Sequence, residues 1–181
     1  MTAKTSVFIA TSLDGFIARS DGDIDWLNRA NAAVPDGEDC GYGNFIETVD
    51  AIVMGRNTFE QVLTFDEWAY GDKRVVVLSR TGVVVPDALR ATVLVSSESP
   101  ALLLERLREG GVQNVYIDGG KTIQSFLRAG LIDELTITII PILLGAGKTL
   151  FGAINSDIGL HHISSLTYEF GFVQSKYRIM K

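Results

Sequence analysis

The sequence predicts an α/β fold in which a mixed, mostly parallel central sheet carries helices on both faces and an antiparallel edge at its C-terminal end. Two observations lead to this class. Short apolar runs rich in β-formers alternate with helix candidates from residue 6 to residue 142, and strands joined through helices run parallel. The last two strand candidates follow each other with no helix between them, as antiparallel neighbours do.

The first strand, at residues 6–11, ends in the turn signal Asp14-Gly15, and a helix candidate follows at residues 24–30. Residues 36–42 are polar and contain glycine, which indicates a loop. The remaining elements in chain order are a helix at 44–49, a strand at 51–54, a helix at 58–63, strands at 74–78 and 92–95, a helix at 101–108, a strand at 115–117, a helix at 122–129, a strand at 134–142, and a closing pair at 166–172 and 173–179. Ser99-Pro100 supplies a cap and a first-turn proline for the helix at 101–108.

Composition limits the class of protein. The chain has 181 residues, of which 46% are hydrophobic, so it is long enough for one domain, spanning residues 1–181, with a sizeable core. Its net charge is −6 and it has no basic run, which disfavours nucleic-acid binding. A single cysteine, Cys40, excludes an internal disulfide, and with two histidines it does not make a metal site.

No segment has the pattern of a membrane or export signal. The most apolar run, Leu135 to Leu144, is too short to span a bilayer and is interrupted by Pro141. The N-terminus lacks a charged region followed by an apolar core. We therefore expect a cytoplasmic protein that acts on a small molecule, without membrane or nucleic-acid partners.

Four predicted strand ends carry candidate ligand-binding residues, and ligands of such sheets bind beyond the carboxyl ends of the strands. These ends are Asp14-Gly15, Gly55-Arg56-Asn57-Thr58, Ser79-Arg80 and Asp118-Gly119-Gly120-Lys121-Thr122. The two glycines let a ligand approach the backbone, and the helix start behind them offers free N–H groups and a positive dipole end, which suits a pyrophosphate. Arg56 and Thr58, at the start of another helix, form a second candidate phosphate-binding site. Arg80 suits a further phosphate, such as the one on the adenosine ribose of NADPH, although each arginine alone equally fits a solvated surface charge.

Two familiar nucleotide motifs fail on spacing. Gly-Lys-Thr occurs at residues 120–122 and 147–149, but the position where a Walker A loop needs its first glycine holds valine or isoleucine. The pair Gly145 and Gly147 would need a third glycine at Leu150 to make a Rossmann fingerprint. We interpret Gly145-Ala146-Gly147 as a turn or bulge, with a role beside the ligand left open.

The same segments resemble a known family. Residues 51–60, AIVMGRNTFE, are similar to the VIMGR-x-T-[WF]-E segment of dihydrofolate reductases; residues 75–80 resemble their next strand and residues 115–126 their glycine-rich segment. The opening TSLDGFIA at 11–18 and IIPILLGAG at 139–147 resemble more closely the reductase domain at the C-terminus of the bacterial riboflavin-pathway deaminase/reductase RibD. The resemblance implies the three-layer dihydrofolate reductase-like fold and NADPH binding.

By matching position, the resemblance assigns residues to the cofactor. They are Ala10, Gly55, Arg56, Thr58, Ser79, Arg80, Asp118, Gly119, Gly120, Lys121, Thr122 and Ile123. Related riboflavin-type domains form dimers, so a homodimer is expected. The segment from Leu135 to Leu144 contributes to that interface or, in the alternative that we favour, forms a buried central strand.

Two aspartates are candidate catalytic residues. Folate reductases carry an acid in their first helix, and counting back from Gly55-Arg56 without gaps places Asp39 there; its alternative role is a helix N-cap. Asp14 belongs to an Asp-Gly pair that borders nicotinamide and substrate in the riboflavin-type group; its alternative role is that of a turn residue. Trp26 lines the substrate pocket or packs in the core.

The function implied is an NADPH-dependent reductase of a small heterocyclic substrate, most like the 5-amino-6-(5-phosphoribosylamino)uracil reductase of riboflavin biosynthesis. The first-strand motif favours this over dihydrofolate reductase. No deaminase domain is expected in the chain, which keeps another heterocycle or a carbonyl compound open as substrate. A non-catalytic NADPH-binding protein and a purely structural domain are the alternatives from other classes.

Overall fold

The structure, a computed structural model, describes residues 3–181. Its strands are β1 (Lys4–Ser12), β2 (Phe16–Ala18), β3 (Ala51–Gly55), β4 (Arg74–Leu78), β5 (Val93–Ser96), β6 (Asn114–Asp118), β7 (Glu134–Ile140), β8 (Lys148–Thr149), β9 (Leu160–Thr167) and β10 (Val173–Ile179). Its helices are α1 (Asp25–Asn31), α2 (Tyr42–Glu47), α3 (Arg56–Val62), α4 (Pro100–Glu109) and α5 (Gly120–Arg128), with a 3₁₀ turn at Asp87–Leu89.

Eight strands form the central sheet, in the order β5-β4-β3-β6-β1-β7-β10-β9. The six from β5 to β7 pair in parallel, whereas β10 is antiparallel to both β7 and β9. This confirms the predicted mixed sheet with its antiparallel C-terminal edge. The segment at 135–140 lies in the central strand β7, between β1 and β10, as the favoured alternative predicted. Strands β2 and β8 form a separate two-stranded sheet.

Apolar packing covers both faces of the parallel half. One cluster joins α4 and α5 to the sheet and contains Leu103, Phe126 and Val53, all fully buried. The opposite cluster joins α3 to side chains such as Met54. Because β3 is enclosed on both faces, its sequence is a continuous apolar run, as expected for a central parallel strand.

Helix starts differ from the predictions at the glycine-rich turns. The start of α4 is as predicted: Pro100 is its first residue and the Ser99 hydroxyl accepts from the Leu102 amide at 3.5 Å. Helices α2, α3 and α5 each begin two residues earlier than predicted. In α5 the Ile123 amide already donates to the Gly119 carbonyl at 2.9 Å, so the helix includes Gly120. Gly120 is helical here in spite of the low helix propensity of glycine.

The predicted penultimate strand at 166–172 is wrong. The strand is β9, and the segment after it is a turn in which the Tyr168 amide donates to the Phe172 carbonyl at 2.9 Å. Phe172 packs against Trp26 in a third apolar cluster, so the alternating aromatic residues reflect local packing instead of a strand. Every residue of β9 is exposed, which removes the alternation that reveals a half-buried strand. The strand predicted at 134–142 ends at Ile140, because Pro141 has no N–H for the ladder.

Candidate functional site

The strand order brings the four predicted strand ends to one edge of the sheet. Strands β4, β3, β6 and β1 are consecutive neighbours, with Gly55 opposite Leu78 and Met54 opposite Asp118. Since adjacent strands lie about 4.8 Å apart, these four ends span roughly 14 Å of the carboxyl edge. An extended ligand can therefore contact all of them.

In each of the β3–α3 and β6–α5 turns, a glycine packs against a threonine of the other turn. A Cβ at Gly119, whose φ is +86°, would overlap the Thr58 hydroxyl, and a Cβ at Gly55 would lie 3.1 Å from the Thr122 hydroxyl. A Cβ at Gly120 would meet the Ile17 side chain at 2.7 Å. The β3–α3 and β6–α5 turns thus leave no room for a side chain at Gly119, whereas the contact at Gly120 is with the end of the Ile17 side chain.

The start of α5 presents backbone N–H groups at this edge. The amides of Gly120, Lys121 and Thr122 lie in the first turn of the helix, where no intrahelical acceptor exists. The Gly119 amide is already used, because it donates to the Asp118 carboxylate at 2.8 Å. Of the predicted cofactor residues here, Lys121 is exposed, whereas Ile123 is fully buried in the core.

Arg56, the first residue of α3, contacts the turn that follows Arg80. Arg56 is exposed and its guanidinium donates to the Thr81 hydroxyl at 3.2 Å, directly after Arg80. Ser79 donates its hydroxyl to the Gly82 carbonyl at 2.8 Å, which fixes the turn that carries Arg80. Two exposed cationic side chains therefore share the side of the edge beyond β3 and β4.

Asp118 carries an enclosed carboxyl group. It accepts from the Tyr70 hydroxyl at 3.3 Å and lies beside Tyr42 and Tyr116. Burial raises the pKa of Asp118, and the Gly119 and tyrosine hydrogen bonds offset this only in part. Burial likewise raises the pKa of Tyr70. Sequence reasoning missed these tyrosines, because they come from different elements and share no motif.

Asp14 joins the turn after β1 to the segment after β7. Its carboxylate accepts from the Ser12 hydroxyl at 2.6 Å, from the Leu144 amide at 3.1 Å and from the Gly145 amide at 2.7 Å. These bonds, that of Ser12 first, lower the pKa of Asp14, so it is an exposed anion at neutral pH. Gly145 has φ +74°, which confirms the predicted turn.

Asp39 lies before α2. Its two carboxylate oxygens accept from the Gly41 amide at 2.8 Å and the Gly43 amide at 2.7 Å. The N-cap of α2 is Gly41, so the predicted N-cap role of Asp39 is wrong in position; Asp39 lies two residues earlier and supplies an acceptor to the Gly43 amide of the first turn.

Trp26 lies in the core with 1% of its surface exposed, packed with Ile140 and Phe172. The half-buried residue Ala10 belongs to the same cluster. The indole N–H of Trp26 has no hydrogen-bond acceptor among residues 3–181. An orphaned buried donor costs about 1–3 kcal/mol, which a polar ligand or water beside it would recover.

No group of three or more His, Cys, Asp or Glu side chains within residues 3–181 is arranged to hold a metal ion. No helix in that part of the chain is long and apolar enough to cross a membrane.

The eight-stranded sheet and its glycine–threonine turns define a domain of the dihydrofolate reductase-like superfamily. The chain belongs to the RibD C-terminal domain family, whose sequence model matches residues 3–173. It is 36% identical to the uncharacterized protein YwjB of Bacillus subtilis over 164 residues, 88% of this chain and 89% of that protein.

Solved structures agree with this family. A Shewanella sp. PV-4 protein provisionally assigned to riboflavin biosynthesis superposes with a TM-score of 0.91 at 41% identity, over 100% of both chains. A deaminase/5-amino-6-(5-phosphoribosylamino)uracil reductase of Thermotoga maritima has the same fold, with a TM-score of 0.76 at 19% identity; the match covers 99% of this chain and 57% of that one. The chain is thus a member of the RibD C-terminal domain family with the fold of the T. maritima protein.

Proposed function

We propose that this chain is a cytoplasmic NADPH-dependent reductase of a small heterocyclic substrate. The observation that carries the proposal lies at the carboxyl ends of the parallel strands. There the exposed Arg56 and the turn that contains Arg80 lie on the same side of the sheet as the first turn of α5, which has free backbone N–H groups. The reductase named in the T. maritima relative makes a ribosylaminopyrimidine the substrate class to test first.

The residues at the edge fit an anionic dinucleotide. Guanidinium groups and free helix-start amides both bind phosphate oxygens, so this edge suits an anion although the chain has a net charge of −6 and Arg56 also lies 3.7 Å from Glu60. The residues that would hold NADPH are Ala10, Gly55, Arg56, Thr58, Ser79, Arg80, Asp118, Gly119, Gly120, Lys121, Thr122 and Ile123. Fully buried Ile123 would act by packing behind the helix start. When bound, NADPH supplies the hydride.

The chain's own groups would position the substrate. Asp14 is ionised and holds the loop at Gly145 against the end of β1, so in this proposal it shapes the rim of the substrate pocket. Trp26, which is 1% exposed in the cluster that contains Ala10, would support the pocket wall from the core side. Asp39 stays a candidate acid, although both its oxygens already accept amide hydrogens.

No observation specifically favours dihydrofolate reductase. That function would use an acid of the first helix, but Asp25 of α1 is already paired with Arg19 and Arg29. The only carboxylate on α2, the helix after Asp39, is the exposed Glu47 at its last position.

Binding and turnover are tested separately. Fluorescence titration with NADPH and NADH should show tighter binding of NADPH, and the Arg56→Met and Arg80→Met variants should each lose about tenfold in NADPH affinity, as expected for a charged hydrogen bond. A panel of ribosylaminopyrimidine, pterin and carbonyl compounds then tests oxidation of bound NADPH. Binding without turnover of any of them would identify a non-catalytic NADPH-binding protein; absence of binding would refute the proposal.

We also propose that the chain forms a homodimer through the β7–β10 face that carries Ile139, Val173 and Tyr177. Ile139 and Tyr177 are only half-buried and Val173 is 37% exposed, although β7 is a central strand. Light scattering after gel filtration should give twice the chain mass, and Val173→Glu should give monomers. A monomeric wild-type protein would contradict this interface.

A further inference from the structure

A cleft lies at the amino-terminal ends of the parallel strands, opposite to the proposed cofactor residues. It is a cavity of about 580 Å³ between α2 and the strands β1, β7, β9 and β10. Lys4, Asn114 and Glu134, which line it, are the first residues of β1, β6 and β7, whereas the proposed cofactor residues lie at the carboxyl ends. Phe8 stacks on Phe45 of α2, with ring centroids 5.0 Å apart, and both side chains contribute to the wall.

The cleft carries surplus positive charge. The ammonium groups of Lys4 and Lys176 lie 3.0 and 3.1 Å from one oxygen of Glu134, and the Arg178 guanidinium lies 3.7 Å from the other. Among the described residues that line the cleft, Glu134 is the only acid and Lys4 and Lys176 are the cations, while Arg178 lies outside the lining. Burial acts to raise the pKa of Glu134, but Lys4 and Lys176 outweigh it and hold it below its ordinary value. Glu134 therefore fixes both ammonium groups without neutralising them.

Polar side chains replace the apolar residues expected under a helix. On this same face of the sheet, β3 and β4 present Met54 and Val75 to their helices. In the cleft the equivalent positions are polar, and several have unused hydrogen-bonding capacity. No side-chain hydrogen bond within residues 3–181 involves the side chains of Ser6, Asn44, Thr136 or Ser164.

The inner end of the cleft is closed. Gln174 donates to the Thr138 hydroxyl and to the Cys40 carbonyl, both at 2.9 Å, and so bridges the sheet to the segment before α2. Thr136, one step further out on the same face of β7, is 9% exposed and has no such partner. The unsatisfied groups thus surround the open part of the cleft.

We propose that this cleft binds a small phosphomonoester, with the phosphate held between Lys4 and Lys176 and the organic part hydrogen-bonded by Thr136, Ser6 and Asn44. Phosphate oxygens suit the two lysine ammonium groups, and the hydroxyls and amide suit the polar groups of a sugar-sized molecule. The site does not depend on the proposed reductase activity, since it shares no residue with the cofactor edge.

Isothermal titration with glucose 6-phosphate as the probe, and glucose as the neutral control, tests the site. The wild-type chain should bind glucose 6-phosphate and not glucose. The Lys4→Met/Lys176→Met double variant should bind it at least tenfold more weakly, whereas Arg80→Met should bind it as the wild type does. Thr136→Val, which keeps the shape of the core, should weaken binding several-fold and guards against a double variant that fails to fold.

Three results would overturn the proposal. The first is no binding of glucose 6-phosphate or inorganic phosphate to the wild-type chain, which would indicate a solvent-filled cleft or one covered by a second copy. The second is equal affinity in the wild type, the double variant and Thr136→Val. The third is loss of binding in Arg80→Met, which would place the ligand at the cofactor edge. Because NADPH titration of the same variants reports on that edge, failure of this site is distinguishable from failure of the reductase proposal.

Discussion

The β6–α5 turn and the β1–β2 turn each place an aspartate before a left-handed glycine, but their surroundings differ. Gly119 has φ +86° and faces Thr58, whereas Gly15 has φ +83° and no atom within 4 Å of where a Cβ would lie. The carboxyl group of Asp118 is enclosed and its pKa is raised, while that of Asp14 is exposed and its pKa is lowered. The same Asp-Gly motif should therefore respond differently to substitution and to pH, because different elements pack against it.

The largest effect is expected for Gly119→Ala. The new methyl group would overlap the Thr58 hydroxyl in addition to forcing an unfavourable φ, and together these should lower the free energy of unfolding by about 3–5 kcal/mol. Gly15→Ala is the matched control, with strain of about 1 kcal/mol and no overlap. Urea unfolding of both variants measures the difference.

A double variant isolates the overlap. Thr58→Ala should recover part of the loss in Gly119→Ala and should not rescue Gly15→Ala. Equal destabilisation by the two glycine substitutions would show that the turns differ in backbone strain alone.

The second prediction concerns pH and Asp118. Because its pKa is raised on folding, the folded chain binds more protons than the unfolded chain between the two pKa values, so this group makes stability fall as pH rises above about 4. Asp118→Asn keeps an acceptor for the Gly119 amide and should remove that fall. Urea unfolding from pH 4 to pH 8 measures it; an unchanged pH profile in the variant would mean that Asp118 is not the responsible group.

The two turns also show what the sequence could predict. The glycines of these turns and the start of α4 could be predicted from the sequence, because turn and cap residues act locally. The tyrosines around Asp118 and the cleft at Lys4 could not be predicted, because their residues come together only when strands that are far apart in the sequence pair with each other. For the same reason β9 was misplaced, since an exposed edge strand has no apolar alternation to report its position.

A smaller effect is expected for Asp14→Ala. Removing the carboxylate frees the amides of Leu144 and Gly145, and water can replace their acceptor because the site is exposed. We expect little change in global stability, but amide hydrogen exchange at Gly145 should accelerate by about tenfold or more as local opening becomes easier. The lowered pKa means that Asp14 contributes stability above its unfolded pKa and loses it as pH falls through the folded value. Wild-type exchange at Gly145 should therefore approach that of the variant in acid, after correction for intrinsic rates. Unchanged protection of the Gly145 amide from exchange in the variant would show that Asp14 does not hold this loop in place.

The smallest effect separates the two roles of Asp39. Its carboxylate accepts from the Gly41 and Gly43 amides at the start of α2, so Asp39→Ala should lower the free energy of unfolding by about 1 kcal/mol. Asp39→Asn keeps one acceptor oxygen and cannot exchange a proton, so it should cost less stability than Asp39→Ala. If Asp39 only supports the helix start, the Asn variant also keeps the wild-type kcat/KM in the reductase assay. A fall in kcat/KM of about a hundredfold or more in Asp39→Asn, with the variant still folded, would instead identify Asp39 as an acid of the reaction.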